Sequence, residues 1–267
     1  MIKSSVFRIL GSSSSGNCGL LITPESRILI DAGFSGRKIC QLLEEQELSI
    51  EDIQAIFLTH EHSDHAQGFR GLCRHKHLTW ICNRDTYEAI SHPSRNKVNW
   101  SIFETGSRFT YRDLRVEAFS IPHDASDPVG YLFSWGGSDL FTPESIVAWV
   151  LDLGYITNLV REKIMTADTL VIEANYDTRL LEEDPKRPWS VKQRIQSRHG
   201  HLSNKAICDL LEGGDIGRLK TIHLAHISKD CNSPQAIREA FAPLMENYAQ
   251  RLTISMFNPR TECIEIL

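Results

Sequence analysis

Short apolar runs alternate with small-residue and polar stretches along the whole chain, and their lengths separate strands from helices. Strands are predicted over 6–10, 20–23 and 27–30, with a Gly/Ser loop over 11–17 between the first two. Ser35 caps a helix running to about Gln46, with Ile39, Leu42 and Leu43 on its apolar face. A strand over 53–59 follows, and Asp64 or His65 opens a helix through Cys73. Further strands are expected over 78–82, 102–103, 108–111, 114–121, 129–135 and 146–151, with a short helix over 85–91. In the C-terminal half, Thr157 caps a helix to Thr166 and 169–174 is a strand. Ser203 caps a helix over 204–211 stopped by Gly213 and Gly214. Strand 220–225, a helix opened by Ser233-Pro234 and ending near Tyr248, and strands 252–256 and 263–267 complete the chain. Strands, helices and strands succeed one another twice over. That order predicts an α/β fold, two sheets sandwiched between helical layers, in one domain over 1–267.

Composition narrows the function classes. The chain has 267 residues, 41% of them hydrophobic, enough for a sizeable core. A formal charge of −5 does not advertise a nucleic-acid binder, so any polyanion site must come from local basic clusters and metal. The seven cysteines are odd in number and scattered without a Cys-x-x-Cys, which points to reduced thiols in a cytoplasmic protein. No apolar run approaches the length of a membrane span, so no membrane partner is expected.

The strand over 53–59 ends in Thr59-His60-Glu61-His62-Ser63-Asp64-His65. Imidazoles and a carboxylate packed into six positions after a strand are ligands for zinc, manganese or iron. His60 and His62, two apart, can hold one ion; Asp64 and His65 can hold a second. Other apolar strands also end in polar groups: Asp31, His123, Asp152 and His226. Ligands at strand ends converge on one edge of a sheet, and together they describe a site for two metals.

These features resemble the metallo-β-lactamase-fold hydrolases, and within them the YycJ/WalJ-like nucleases. The resemblance spans nearly the whole chain. It is carried by Gly11 to Cys18, Ile30-Asp31-Ala32-Gly33, the histidine motif, Pro122-His123-Asp124-Ala125 with Asp127 to Tyr131, Asp152-Leu153-Gly154, Glu173-Ala174-Asn175, Gly200 to Asn204 and Ala225 to Asn232. It implies a four-layer αββα sandwich and a DNA exonuclease acting from 5′ to 3′. It also implies that His60, His62 and His123 hold the first ion, that Asp64, His65 and His226 hold the second, and that Asp152 bridges them. His226 is preferred over His223 because only His226 stands at the strand end. Asp31 is expected to orient a ligand without binding metal. Leu151, Tyr176 and a long 138–145 loop depart from the family pattern and bear on the substrate.

Two divalent ions activate a bridging water and suit hydrolysis of a lactam, a thioester or a phosphodiester. The phosphodiester is favoured by the stretch from Lys186 to Lys205, which carries six cations and no carboxylate, among them Lys192 and Arg194. A shorter basic stretch, 70–84, follows the histidine motif. His201, just before a helix start, is placed to protonate the leaving oxygen, with Asp64 orienting the nucleophile. Ser203 and Asn204 at that helix start, and Ser13, Ser14 and Asn17 in the serine loop, are expected substrate contacts. DNA is favoured over RNA as the partner. A glyoxalase II-like thioesterase, a small cyclic phosphodiesterase and a non-catalytic nucleic-acid-binding module are the competing readings; oligomeric state is left open.

Overall fold

A computed structural model describes residues 5–137, 143–212, 216–248, 251–258 and 260–267. The expected 138–145 loop and the Gly213-Gly214 helix stop fall largely outside these residues. The chain divides into two compact units, one formed by 1–119 with 125–129, the other by 120–124 with 130–267.

The first unit is built on a sheet whose six strands lie in chain order: β1 (Val6–Ser13), β2 (Gly16–Ile22), β3 (Arg27–Ile30), β4 (Ala55–Phe57), β5 (Thr79–Asn83) and β6 (Asn99–Phe103). β1 to β3 are antiparallel, and β4, β5 and β6 add in parallel to β3. Helices α1 (Gly36–Glu44), α2 (Ser63–Ala66), α3 (Phe69–Leu72) and α4 (Arg84–Ala89) follow the strands, and the hairpin β7 (Arg108–Tyr111) and β8 (Leu114–Ser120) closes the run. α1 is capped as expected, Ser35 Oγ accepting from the Lys38 N–H. Its Ile39, Leu42 and Leu43 join Leu29, Ile56, Phe69 and Trp80 in one buried cluster.

The serine stretch is not a loop. β1 runs through Ser12 and Ser13, the chain turns at Ser14 and Ser15, and β2 begins at Gly16. Hydroxyl-rich residues suggest a turn from sequence alone, but here the Phe34 ring lies across the hairpin and only small residues fit beneath it. A Cβ on Gly11 or Gly16 would stand 2.6 or 2.7 Å from that ring. The expected helix 64–73 is two short helices, α2 and α3, and strand 53–59 shortens to three residues behind a 3₁₀ turn at Ile50–Asp52.

In the second unit, β9 (Val129–Trp135), β10 (Ser145–Val150), β11 (Thr169–Glu173), β12 (Thr221–Ala225), β13 (Thr253–Asn258) and β14 (Cys263–Ile266) lie side by side in that order. β10 to β13 are parallel, with antiparallel β9 and β14 at the two ends of this run. The connections are α5 (Asn158–Ile164), α6 (Thr178–Glu183), α7 (Trp189–Ile195), α8 (Asn204–Glu212) and α9 (Pro234–Tyr248). Thr157 and Ser203 cap α5 and α8 as expected, accepting from the Val160 and Ala206 N–H groups. α6 and α7 carry no strong apolar period and were not expected from the sequence pattern.

Each unit therefore contains consecutive parallel strands, whose C-terminal ends share one edge about 4.8 Å apart per strand. No helix among the described residues is long and apolar enough to cross a membrane. All seven cysteines are free thiols, in line with their scattered, odd count.

Candidate metal-binding clusters

In the first unit, β3 ends at Ile30 and the chain kinks at Asp31, whose φ of 59° is left-handed. A non-glycine residue pays roughly 1–2 kcal/mol for that conformation. The kink aims the buried carboxylate at the end of the neighbouring β4. Asp31 Oδ1 accepts from the Thr59 N–H and hydroxyl, each at 2.9 Å, and Oδ2 lies 2.8 Å from His65 Nδ1. The carboxylate thus fixes His65 with its proton on Nδ1 and its lone pair on Nε2. Thr59 Oγ, having given its proton to Asp31, accepts from His60 Nδ1 at 3.0 Å, so His60 too presents Nε2 as its lone-pair nitrogen. His62 is the N-cap of α2. The His60 ring centroid is 4.7 Å from that of His62 and 4.2 Å from that of His65. Asp64 Oδ2 lies 3.7 Å from His65 Nε2. Gly33 makes this closure possible: a Cβ there would fall 1.7 Å from the Asp64 carbonyl oxygen. Glu61, in the middle of the motif, turns away and accepts from the Ser126 N–H and hydroxyl. Burial pushes its carboxyl up, but those bonds outweigh it and hold it below its ordinary range.

In the second unit, one side chain arrives from each of several strand ends. Asp152, just past β10, and His226, just past β12, are both left-handed, with φ of 57° and 49°. Glu173 ends β11 between them. His226 Nδ1 lies 3.0 Å from Asp152 Oδ1 and 3.2 Å from Glu173 Oε2. His201 Nδ1 lies 2.9 Å from Glu173 Oε2 and 3.4 Å from Asp152 Oδ1. One ligand atom from each of these four residues lies within 4.8 Å of the others. His123 Nδ1 donates to the Gly200 carbonyl at 3.2 Å, which leaves Nε2 as its lone-pair nitrogen, 3.7 Å from Asp152 Oδ2. Burial lowers the His123 pKa against the nearby carboxylates, so the ring stays neutral. Burial also opposes charge on His201, but Glu173 and Asp152 outweigh it and hold the imidazolium well above the ordinary histidine range.

Glu173 is the residue that sequence reasoning passed over as a site residue. It is fully buried. Its Oε1 accepts from the Leu153 N–H at 2.6 Å and the Leu202 N–H at 3.0 Å, tying the loops that carry Asp152 and His201 to the end of β11. The available signal was a glutamate closing a wholly apolar strand, since a buried carboxylate is kept only where donors surround it. Asn175 adds to the same frame, donating from Nδ2 to the His226 carbonyl at 2.9 Å. His223, by contrast, is taken up by Ser255 Oγ at 2.6 Å.

These donor sets fit a divalent ion. Ligands about 2.1 Å from one zinc at a tetrahedral angle stand roughly 3.4 Å apart. The imidazole-to-carboxylate separations at His65–Asp64 and His123–Asp152 are each 3.7 Å, with a neutral lone pair facing an anion. A cation relieves that repulsion.

The expected substrate contacts fare differently. Ser13 is buried and accepts from the Ser15 N–H. Asn17 is fully buried, accepting from Ser12 Oγ at 2.7 Å, with Nδ2 3.2 Å from His65 Nε2, so it braces the first cluster. Asn204 is buried in a reciprocal pair with Asn232. Ser203 is an ordinary helix cap. Ser14, with its neighbour Ser15, is exposed at the turn. The cations of the basic stretch are already engaged in three dimensions. Lys192 is buried with its ammonium on the Glu182 carbonyl. Arg194 pairs with Asp124, Lys186 and Arg187 with Asp230, and Lys205 with Asp209. Arg198 lies over the Tyr155 ring. The aspartates were invisible to a reading of the stretch because they lie elsewhere in the chain, or four residues on.

The chain is similar to known proteins over most of its length. A family described as the beta-lactamase superfamily domain matches residues 26–224. Exodeoxyribonuclease YycJ of Bacillus anthracis is 34% identical over 245 residues, 90% of this chain and 89% of that protein. Exodeoxyribonuclease WalJ of Streptococcus pneumoniae is 36% identical over 230 residues, 85% of this chain and 82% of that protein. Among solved structures, the metallo-beta-lactamase fold protein YhfI of Bacillus subtilis superposes with a TM-score of 0.67 at 12% identity, covering 98% of each chain.

Proposed function

The chain belongs to the metallo-β-lactamase superfamily, in the group of YycJ and WalJ, and is a metal-dependent hydrolase; from that membership we propose that it is a dinuclear, metal-dependent DNA exonuclease digesting from the 5′ end. The proposed metal ligands are His60, His62, Asp64, His65, His123, Asp152 and His226, with zinc or manganese the metals expected and iron a further candidate. The reading rests chiefly on the likeness, over nine-tenths of the chain, to a protein named as an exodeoxyribonuclease.

Bound divalent ions would supply water activation and charge neutralisation on the phosphoryl oxygens. The chain's own residues do the rest. Asp31 and Thr59 hold His60 and His65 in the tautomer that offers Nε2. Glu173 anchors His201 through Nδ1, so the Nε2 proton is the one His201 gives to the departing oxygen. Asp64 orients the attacking water. Trp189 stands 64% exposed on α7 and offers a ring face on which an unpaired base can stack.

The test is digestion of 5′- and 3′-labelled DNA and RNA strands by the purified protein reconstituted with zinc or manganese. Stepwise, chelator-sensitive loss of the 5′ label from DNA is expected. Turnover confined to an acyl-glutathione thioester, or DNA binding without cleavage, would replace the nuclease reading with a thioesterase or a binding module.

A further inference from the structure

The helical run 63–73 carries a polar stripe that the ligand chemistry leaves unused. Gln67, Gly68 and Cys73 keep right-handed helical backbone around α2 and α3. Ser63, Gln67, Arg70 and Arg74 therefore fall on one face, spaced four, three and four residues apart. At 1.5 Å per residue the stripe is roughly 16 Å long, and it starts beside His62. Two clefts open along it. One, of about 330 Å³, is walled by Glu61 and Ser63 at one end and by Gln67 and Arg70 at the other. The second, of about 420 Å³, is walled by Gln67 and Arg70 again, then by Arg74 and, opposite, Arg37. Arg37 reaches that position because Gly36 and Gly71 let α1 and α3 touch: a Cβ on Gly36 would lie 3.0 Å from the Gly71 Cα.

The charge is distinctive. No carboxylate walls the second cleft. Arg37, Arg70 and Arg74 are exposed, and Arg74 Nε donates to Nε2 of His75, whose Nδ1 is held by the Glu51 carboxylate outside the cleft lining. The cations of 186–205 are by contrast already engaged by carboxylates, a carbonyl or a ring. Three arginines on one cleft whose lining holds no carboxylate attract phosphate, which matches their fork of donors.

We infer that this stripe and the Arg37–Arg70–Arg74 cleft are the phosphate track of an extended single strand of nucleic acid, leading from the histidine turn along α2 and α3. The inference rests on the nuclease reading for its ligand. It moves strand recognition from the C-terminal basic stretch to the N-terminal unit.

The experiment measures binding apart from cleavage. A fluorescein-labelled oligothymidylate is titrated with the full-length protein in chelator, over a series of salt concentrations, for the wild type, the triple variant R37A/R70A/R74A and the charge-preserving R37K/R70K/R74K. Each single-strand phosphate contact contributes about −0.7 to the slope of log K against log salt, so losing three should reduce the slope by about 2 and weaken binding more than tenfold near 100 mM salt. The lysine variant should keep the slope. Metal-loaded turnover of bis-p-nitrophenyl phosphate, too small to reach the arginines, should be unchanged in both. An unaltered slope and affinity in the alanine variant, or no binding by the wild type, overturns the track. Salt-dependent binding lost with the arginines, in a protein that never cleaves DNA, upholds the track and refutes the nuclease reading instead.

Discussion

The two clusters solve one problem in different ways. In the first unit, four expected ligands come from a single turn, His60 to His65, and the surrounding strands only orient them: Asp31 from β3 fixes two rings, directly and through Thr59. In the second unit no two ligands are neighbours in the chain. Asp152, Glu173 and His226 arrive on adjacent parallel strands, His123 and His201 on the segments between elements, and one carboxylate, Glu173, ties them together. A turn sets ligand spacing by covalent geometry, so it survives local change. A collected cluster sets spacing by strand register, so it depends on the buried hub. Both use left-handed residues at strand ends, Asp31 in the first and Asp152 and His226 in the second. That conformation turns the side chain off the line of the strand, and the local backbone cost is offset by packing and hydrogen bonds.

The contrast can be broken from the top down. Asp64→Ala should abolish nucleic-acid hydrolysis while the circular dichroism spectrum and melting temperature stay near wild type, because the turn holds itself; full activity in this variant would sink the ligand assignment. His201→Gln should lower kcat on DNA by about 10²–10⁴-fold yet spare bis-p-nitrophenyl phosphate, whose leaving group needs no proton. The protonated form is the acid and the Glu173 carboxylate favours it, so loss of the His201 proton should give an alkaline limb above the usual histidine range, while protonation of the metal ligands gives the acid limb. A pH–rate profile of His201→Gln that keeps the same alkaline limb would assign that limb to another group.

The two orienting carboxylates sharpen the comparison. Asp31→Asn should weaken metal affinity by about 10–100-fold, read by competition with a zinc chelator, with little loss of fold. Glu173→Gln should cost both metal affinity and stability, because it removes the buried anion shared by His201 and His226, leaving them only Asp152, while Gln can still accept from only part of the donor set. Equal stability loss in the two variants would erase the distinction between a turn and a hub. The smallest effect concerns Asp184, next to the 186–205 stretch. The Lys186 N–H, and then the Arg187 guanidinium at 2.5 Å, hold its carboxyl down to about 2. A depressed carboxyl stabilises the fold above the ordinary carboxylate pKa of about 3.9 and loses that contribution as pH falls toward about 2. Asp184→Asn should therefore flatten the decline of melting temperature between those limits and lower the plateau slightly near neutrality.

Local chemistry was legible wherever it depended on neighbours in the chain. The histidine turn, the caps at Ser35, Thr157 and Ser203, the α/β order and the family itself follow from short-range spacing, because a turn, a cap or an amphipathic face is completed within a few residues. His123, Asp152 and His226 were legible only as strand ends, and Glu173 only as a charge in an apolar run. What the tertiary structure decided is which groups are already spoken for. Lys192, Arg194, Asn17 and Asn204 read as free polar side chains in the sequence, yet each finds a partner or a buried place in the fold. Arg70 and Arg74 share a face by their spacing, but Arg37 stands over thirty positions away and joins them on one cleft only because two glycines let α1 and α3 touch. A sequence fixes which charges a protein owns; the pairing of those charges through space determines which of them remain to meet a substrate.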